Sequence, residues 1–213
     1  NFIIFLPMNT PGSGIIQADQ ETVDVALMVL AGKINKSLVN LIELKGGNAI
    51  GLSGLDGHMI EAKVKNPELG FVGDITKVNI KPILDVIDKG YIPVVSTVGC
   101  DNEGHVYNIN ADTAAARLAG ALGAESLIAM TDIAGILRDK DDPDTLISSI
   151  RIGDLPELVS SGVIQGGMVP KAECCRNAIE WGVNRVFIID GRIPHAILIE
   201  MLTNEGIGTM FTK

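Results

Sequence analysis

Basic charge is scarce in this 213-residue chain: 17 lysines and arginines stand against 26 aspartates and glutamates, a formal charge of −9 with a pI near 4.8. A domain that grips nucleic acid by neutralising phosphates needs a basic face, and this balance supplies none. Cysteine is scarce as well. Cys100, Cys174 and Cys175 form no disulfide framework, adjacent cysteines rarely bridge each other, and no C-x-x-C pair offers zinc its usual spacing. They suit a reducing compartment and are expected to pack as small apolar side chains. No uninterrupted apolar run approaches the roughly 20 residues that cross a bilayer, so no membrane role is expected. The apolar opening, Asn1-Phe2-Ile3-Ile4-Phe5-Leu6-Pro7, is too short for that and lacks the basic region of a signal peptide. Walker A, G-x-G-x-x-G and H-E-x-x-H patterns are missing, which excludes P-loop chemistry and weakens a dinucleotide reading. His58, His105 and His195 stand far apart, without a nucleophile–base context.

What is present is apolar substance. A hydrophobic fraction of 46% and a mean hydropathy of +0.31 provide for a packed core and exclude general disorder. From residue 46 onward, short β-branched runs alternate with helical patterns, punctuated by Gly and Pro. Strands are expected over 48–52, 91–97, 126–131 and 185–189, and a hairpin over 61–78 turning at Asn66-Pro67. Helices are expected over 21–45, 80–89, 111–122, 155–160, 168–181 and 195–203. In the first, Val23, Leu27, Leu30, Ile34, Leu38 and Leu41 make one apolar stripe, Asp19 is its N-cap, and Gly46-Gly47 ends it. Strands spaced by helices define an α/β sandwich with helices on both faces of a mainly parallel open sheet. The first twenty residues hold one strand candidate and then break at Pro7, Pro11, Gly12 and Gly14. The chain opens on Asn rather than Met, and an incomplete N-terminus is expected.

Four places sit at exits of expected strands, where open α/β sheets hold ligands. Gly51-Leu52-Ser53-Gly54-Leu55-Asp56-Gly57 is glycine-rich: either a tight turn or a backbone that approaches an anion closely. In Tyr107-Asn108-Ile109-Asn110-Ala111-Asp112, an extended backbone points Asn108 and Asn110 the same way, with Asp112 in the first helical turn. Two amides and a carboxylate there can orient a polar ligand; an Asn cap and a dipole-favoured Asp account for only part of the set. Asp132, in Thr131-Asp132-Ile133-Ala134-Gly135-Ile136-Leu137, reads equally as a turn former and as a contact to a ribose or a nucleotide-bound cation. Finally, Gly166-Gly167-Met168-Val169-Pro170-Lys171 opens a helix. Lys171 opposes the helix dipole there unless an anion lies opposite, which favours a phosphate ligand. The four loops together suggest phosphoryl transfer by positioning and charge neutralisation.

In this order and spacing the motifs resemble the amino acid kinase family, in its plant and cyanobacterial acetylglutamate-phosphorylating branch. The likeness extends over Val29-Leu30-Ala31-Gly32-Lys33-Ile34-Asn35-Lys36, Leu69-Gly70-Phe71-Val72-Gly73, Gly90-Tyr91-Ile92-Pro93-Val94 and Asp190-Gly191-Arg192. It runs from about Thr22 to the C-terminus. The resemblance implies the amino acid kinase fold and ATP-dependent phosphorylation of the γ-carboxylate of N-acetyl-L-glutamate in arginine biosynthesis, with Mg²⁺ accompanying ATP. It implies a substrate-binding and dimerisation lobe over 1–106 and an ATP-binding lobe over 107–213. Lys171 and Asp112 would be catalytic, and Asn108, Asn110, Ser53 and Gly54 would bind the substrate. Asp132, Ile133, Ala134, Gly135, Ile136, Leu137 and Lys140 would border ATP, with Ile164, Gln165, Gly166 and Gly167. His195, Glu205 and Gly208 would belong to an arginine-effector site, and no residue is assigned as a metal ligand. A homodimer through helix 21–45, a PII signalling partner, and a plastid-stroma location in a plant (otherwise cytoplasmic) follow from the same likeness.

Three family features have no counterpart here: a lysine in a Lys-x-Gly-Gly first strand, a His-Gly-Gly-Gly-Pro loop, and an arginine whose place Ile16 takes. The N-terminal lobe is therefore expected to be truncated. A catalytically inactive paralogue acting as an interaction or regulatory subunit is the rival expectation.

Overall fold

The computed structural model describes residues 4–6, 18–203 and 206–213. The chain divides into two compact units, Asn1–Leu118 and Ala119–Lys213. The division falls after the segment at 107–110, rather than before it as expected at residue 107. Strand pairing explains this: Val106–Asn108 adds antiparallel to Val98–Cys100 of the first unit.

The first unit has two sheets. In one, β1 (Ile4–Leu6) and β2 (Ala49–Ser53) flank β5 (Ile92–Ser96), all parallel. In the other, β3 (Ile60–Val64), β4 (Gly73–Val78), β6 (Val98–Cys100) and β7 (Val106–Asn108) lie in the order β4-β3-β6-β7. The hairpin β3–β4 turns where expected, with the Asn66 side chain accepting from the Glu68 amide at 3.1 Å. Helix α3 (Lys81–Asp88) leads into β5, burying Ile83.

A 25-residue helix, Gln20–Leu44, lies beside β2 and β5. Asp19 caps it through the Thr22 amide at 2.8 Å, and Gly46, at φ +83°, turns the chain out. It is not α-helical throughout: α1 (Gln20–Leu27) and α2 (Asn35–Leu44) flank a π-helical segment, Met28–Ile34. The expected stripe therefore breaks. Val23 and Leu30 are buried, but Ile34 and Leu41 face outward and Asn35 is fully buried in the place expected for Ile34. A π turn adds a residue, so the inward step after Leu30 is five rather than four.

This helix is long and apolar enough to cross a membrane, with a mean hydropathy of 1.5 in its most apolar window. Its middle nonetheless carries Lys33, Asn35 and Lys36, and the last two bond to strand backbone.

The second unit is one sheet, β8 (Ser126–Thr131), β10 (Arg185–Asp190), β11 (Thr209–Thr212) and β9 (Ser149–Arg151). β8 and β10 run parallel, paired from Ser126–Arg185 to Thr131–Asp190. Ile188, Ile189 and Phe211 are fully buried in its core. Helix α4 (Ala111–Ala121), in which the division after Leu118 falls, precedes β8; α5 (Leu155–Ser160) and α6 (Met168–Glu180) precede β10, and α7 (Ala196–Leu202) follows it. The mixed, mostly parallel pairing is the α/β class expected. Among the described residues, however, it is distributed over three hydrogen-bonded sheets rather than one.

Candidate active site

In the first unit, β2 and β5 end side by side, with Ser53 opposite Ser96. Ser53, Ser96 and Thr97 are all buried polar residues at these ends. Ser53 donates to the Asp56 carboxylate from its amide at 2.6 Å and its hydroxyl at 3.1 Å, closing the loop. Gly54 has a structural reason to be glycine: a Cβ would lie 1.8 Å from the Val98 carbonyl oxygen. Gly51 has another, since its Cβ would meet the Asn35 amide oxygen. Close packing thus explains the glycines of this stretch without a ligand.

Asn108 ends β7. Its amide donates to the Phe71 carbonyl at 2.9 Å, and its side-chain Oδ1 is buried without a hydrogen-bond partner. A buried carbonyl left in that state costs about 1–3 kcal/mol, so it marks a place where a donor is wanted. Asn110, two residues on, is exposed. Its Oδ1 accepts from the Thr113 amide at 3.0 Å and from the Thr113 hydroxyl at 3.1 Å, capping α4. Asp112 stands half-buried in the first turn of that helix. The two asparagines therefore divide the work: one caps the helix, and the other keeps a carbonyl in reserve.

The β6–β7 turn holds a network that the sequence reading missed. Asp101 accepts from the Tyr107 hydroxyl at 2.8 Å, from the Glu103 and His105 amides at 2.9 and 3.0 Å, and lies 2.9 Å from His105 Nδ1. Burial pushes its carboxyl up, but these bonds outweigh it and hold the group well below the usual carboxylate range. Burial, then the Asp101 hydrogen bond, pushes Tyr107 up to about 12. Asp101, Glu103 and His105 are close enough to share a cation, yet Asp101 is already committed. The spacing Asp-x-Glu-x-His was legible in the sequence, but its partner Tyr107 was not.

In the second unit, α6 precedes β10 and runs back along it. Thirteen helical residues and six strand residues each span about 20 Å, so the start of α6 lies level with the carboxyl ends of β8 and β10. That start has Gly167 at its cap, no side-chain cap and no acidic residue in its first turn. The Met168 and Val169 amides turn back onto the Gln165 and Gly166 carbonyls, while a Cβ on Gly166 or Gly167 would meet open space. Lys171 is half-buried one turn in, and Ile164 is buried just before.

At the exit of β8, the Thr131 hydroxyl accepts from the Ile133 amide at 3.2 Å, and the Ile136 amide donates to the buried Thr209 Oγ1 at 2.8 Å. The stretch Asp132 to Leu137 is thereby fixed at both ends, with Asp132 exposed and Gly135 at φ +143°. Lys140 is exposed further along the same loop. At the neighbouring exit, Asp190 takes a bidentate bond from Arg192, Nε to Oδ1 at 2.9 Å and Nη2 to Oδ2 at 2.8 Å. The Arg192 hydrogen bonds hold the Asp190 carboxyl below its ordinary range, and the guanidinium also feels the charge of Asp132.

His195 caps α7 in the left-handed region, at φ +63°. Glu200, on the same helix, accepts from the Ile207 and Gly208 amides at 2.8 and 3.1 Å, so His195 and Gly208 flank one short helix. Ile16 and Glu205 lie outside the described residues.

Residues 7–190 match the amino acid kinase family, and the chain belongs to that family. It is 55% identical over 203 residues to an acetylglutamate kinase of Brachyspira hyodysenteriae, covering 94% of this chain and 70% of that protein. It is 50% identical over 212 residues to an acetylglutamate kinase of Heliobacterium modesticaldum, covering 94% and 72%. Among solved structures, smu.665 of Streptococcus mutans aligns with a TM-score of 0.77 at 27% identity, covering 95% of this chain and 78% of that one.

Proposed function

We propose that this chain transfers the γ-phosphoryl group of ATP to the γ-carboxylate of N-acetyl-L-glutamate, a step of arginine biosynthesis. The identity of 55% with an acetylglutamate kinase, over 94% of this chain, carries the reading. The residues of the first unit take the carboxylate substrate, and those of the second take the nucleotide. Asn108 offers its unpartnered carbonyl to the acetamido N–H, with Ser53 and Gly54 on the same side of the chemistry. Asn110 serves the substrate indirectly, by fixing the start of α4 that carries Asp112.

Phosphoryl transfer asks for positioning and charge neutralisation rather than covalent chemistry. Lys171 neutralises charge that accumulates on the transferred group, and Asp112 orients cationic side chains. ATP is bordered by Asp132 to Leu137, Lys140 and Ile164 to Gly167, and the open glycines let phosphate oxygens approach the backbone. Mg²⁺ enters as part of the nucleotide substrate, a hard cation held by phosphate and water oxygens, with Asp132 the carboxylate nearest this role in sequence.

The exposed apolar side chains of the long helix, Val25, Met28, Val29, Leu41 and Leu44, suit a second copy of the chain. A protein interface is preferred to a bilayer because Lys33 and Lys36 interrupt the helix. His195 and Gly208 serve an arginine-effector site, PII is the proposed regulatory partner, and the plastid stroma or the bacterial cytoplasm is the proposed location.

The test is acyl-phosphate formation from MgATP and N-acetylglutamate by the purified chain, trapped with hydroxylamine, with Lys171→Ala as control. Turnover lost in the control supports the reading. A folded chain that binds ATP without turnover would instead favour a non-catalytic interaction subunit. Failure to retain PII in a pull-down would remove that partner.

A further inference from the structure

The most unusual residue of the first unit is not in any of the four loops. Asn35 is fully buried, on a helix face where its neighbours in the pattern are apolar. It follows the π segment Met28–Ile34 directly. In a continuous α-helix the residue over the sheet would be Ile34; the added residue of the π turn substitutes an amide for that side chain. Two concessions accompany it. Gly51 in β2 must lack a Cβ, since one would lie 1.8 Å from Asn35 Oδ1, and that oxygen stays buried without a partner. Both features are unfavourable by themselves, so the amide nitrogen has to be doing something that a packed isoleucine would not.

That nitrogen donates to the Leu52 carbonyl at 3.1 Å and to the Val94 carbonyl at 2.8 Å, one on β2 and one on β5. Lys36 Nζ adds a bond to the Gly51 carbonyl at 3.1 Å. The Leu52 carbonyl also accepts from the Ser96 hydroxyl at 3.3 Å, and the Gly54 amide donates to the Ser96 carbonyl at 3.3 Å. Beyond Ser96, the Thr97 carbonyl accepts from the Ile109 amide at 3.1 Å, and Val98 pairs with Asn108. A continuous set of side-chain and backbone hydrogen bonds thus runs from the Asn35 amide, through both strand ends, to Ser53-Gly54 on one side and Asn108 on the other.

We propose that Asn35 is a positioning residue: its amide, set in place by the π turn, fixes the ends of β2 and β5 and through them the Ser53-Gly54 and Asn108 groups that receive the acyl-amino-acid substrate. The substrate named here rests on the function proposed above; the strand-end geometry does not. Removing the amide leaves the fold intact and loosens the strand ends, and the effect appears in the substrate those ends serve.

The test is Asn35→Leu, which keeps the branched outline of the side chain, at a somewhat larger volume, and removes the buried polar group. Expected are a rise in KM for N-acetylglutamate of about tenfold or more, because small misplacements of binding groups are costly, with KM for ATP nearly unchanged. Amide hydrogen exchange should accelerate at Ser53, Gly54 and Ile109, and stay as in the unaltered protein along β8 and β10. Should leucine not be accommodated, Asn35→Ser, which leaves room for a water, is judged by the same readouts. Unchanged KM and unchanged exchange would overturn the proposal, and so would a uniform loss over both substrates and all amides, since that is general destabilisation. If the unaltered protein does not turn over N-acetylglutamate, the substrate reading fails, and the exchange measurement still decides the role of Asn35.

Discussion

Three single side chains separate function from stability in this molecule. Asn108 keeps a buried carbonyl without a partner, a cost that binding would offset. Asn108→Leu should therefore melt at the same temperature as the unaltered chain or higher, while turnover falls by about a hundredfold or more. Calorimetry and the hydroxylamine assay measure the two sides; a lower melting temperature with full activity would show that the carbonyl has a structural partner instead. Asp101 and Tyr107 concern stability alone. A carboxyl held low in the folded state stabilises above its unfolded pKa, and that contribution disappears as pH falls through the folded value. A phenol raised to about 12 stabilises below its unfolded pKa of about 10 and loses the contribution between those values. Asp101→Asn should thus flatten the acid limb of a stability–pH curve, and Tyr107→Phe the alkaline limb. Unfolding midpoints in urea across pH 2 to 12 would check both, and parallel curves for variant and unaltered protein would remove the assignment.

At the scale of elements, the meeting of the long helix with β2 depends on a missing methyl group. Gly51→Ala forces a Cβ against the Asn35 amide, and overpacking of this kind costs about 1–3 kcal/mol. In an Asn35→Ala background the same substitution should cost much less, because the Asn35 amide is gone and the atom that still obstructs, Lys36 Nζ at 2.6 Å, ends a flexible side chain that can swing aside; a double-mutant cycle in urea reads the coupling directly. Additive effects would mean that the two residues do not meet. The legibility of the elements has the same physical root. Strand β8 and helix α5 were readable to the residue, since a continuous apolar run and a Pro-opened helix have strong local signals. β6, β7 and β9 have three residues each, too few to show a period, and their pairing comes from distant partners. The π turn was hidden because the apolar residues of 23–41 fit an unbroken 3.6-residue period, in which Ile34 takes the inward place and Asn35 falls beside the stripe as an ordinary polar residue. Within the site, Asn110 read as a ligand by its alternation with Asn108, and the nearby Thr113 amide and hydroxyl made it a cap. Asp190-Arg192 was visible as a motif, but two residues' separation gives no hint of a bidentate clasp.

For the whole molecule, the balance of charge and apolar surface bears on the dimer proposed above. A net charge of −9 opposes association, yet the long helix turns Met28, Leu41 and Leu44 outward at 63%, 56% and 72% exposure. The π turn is what turns Leu41 out: the face of α2 that packs on the sheet keeps Leu38 and is rotated toward Val39 and Ile42. One structural feature therefore buries the amide that ties β2 to β5 and exposes the apolar residues available to a partner. Burying such a face is worth about 25 cal/mol per Å² of apolar area, which several side chains together make large against screened surface repulsion. Leu41→Glu, placed on the exposed side, should leave the helical circular dichroism unchanged and convert a dimer to a monomer in sedimentation equilibrium. Raising the salt concentration should strengthen the association of the unaltered chain, because it screens the shared negative charge. A chain that sediments as a monomer at every protein and salt concentration would show that the helix's outer face has some other occupant.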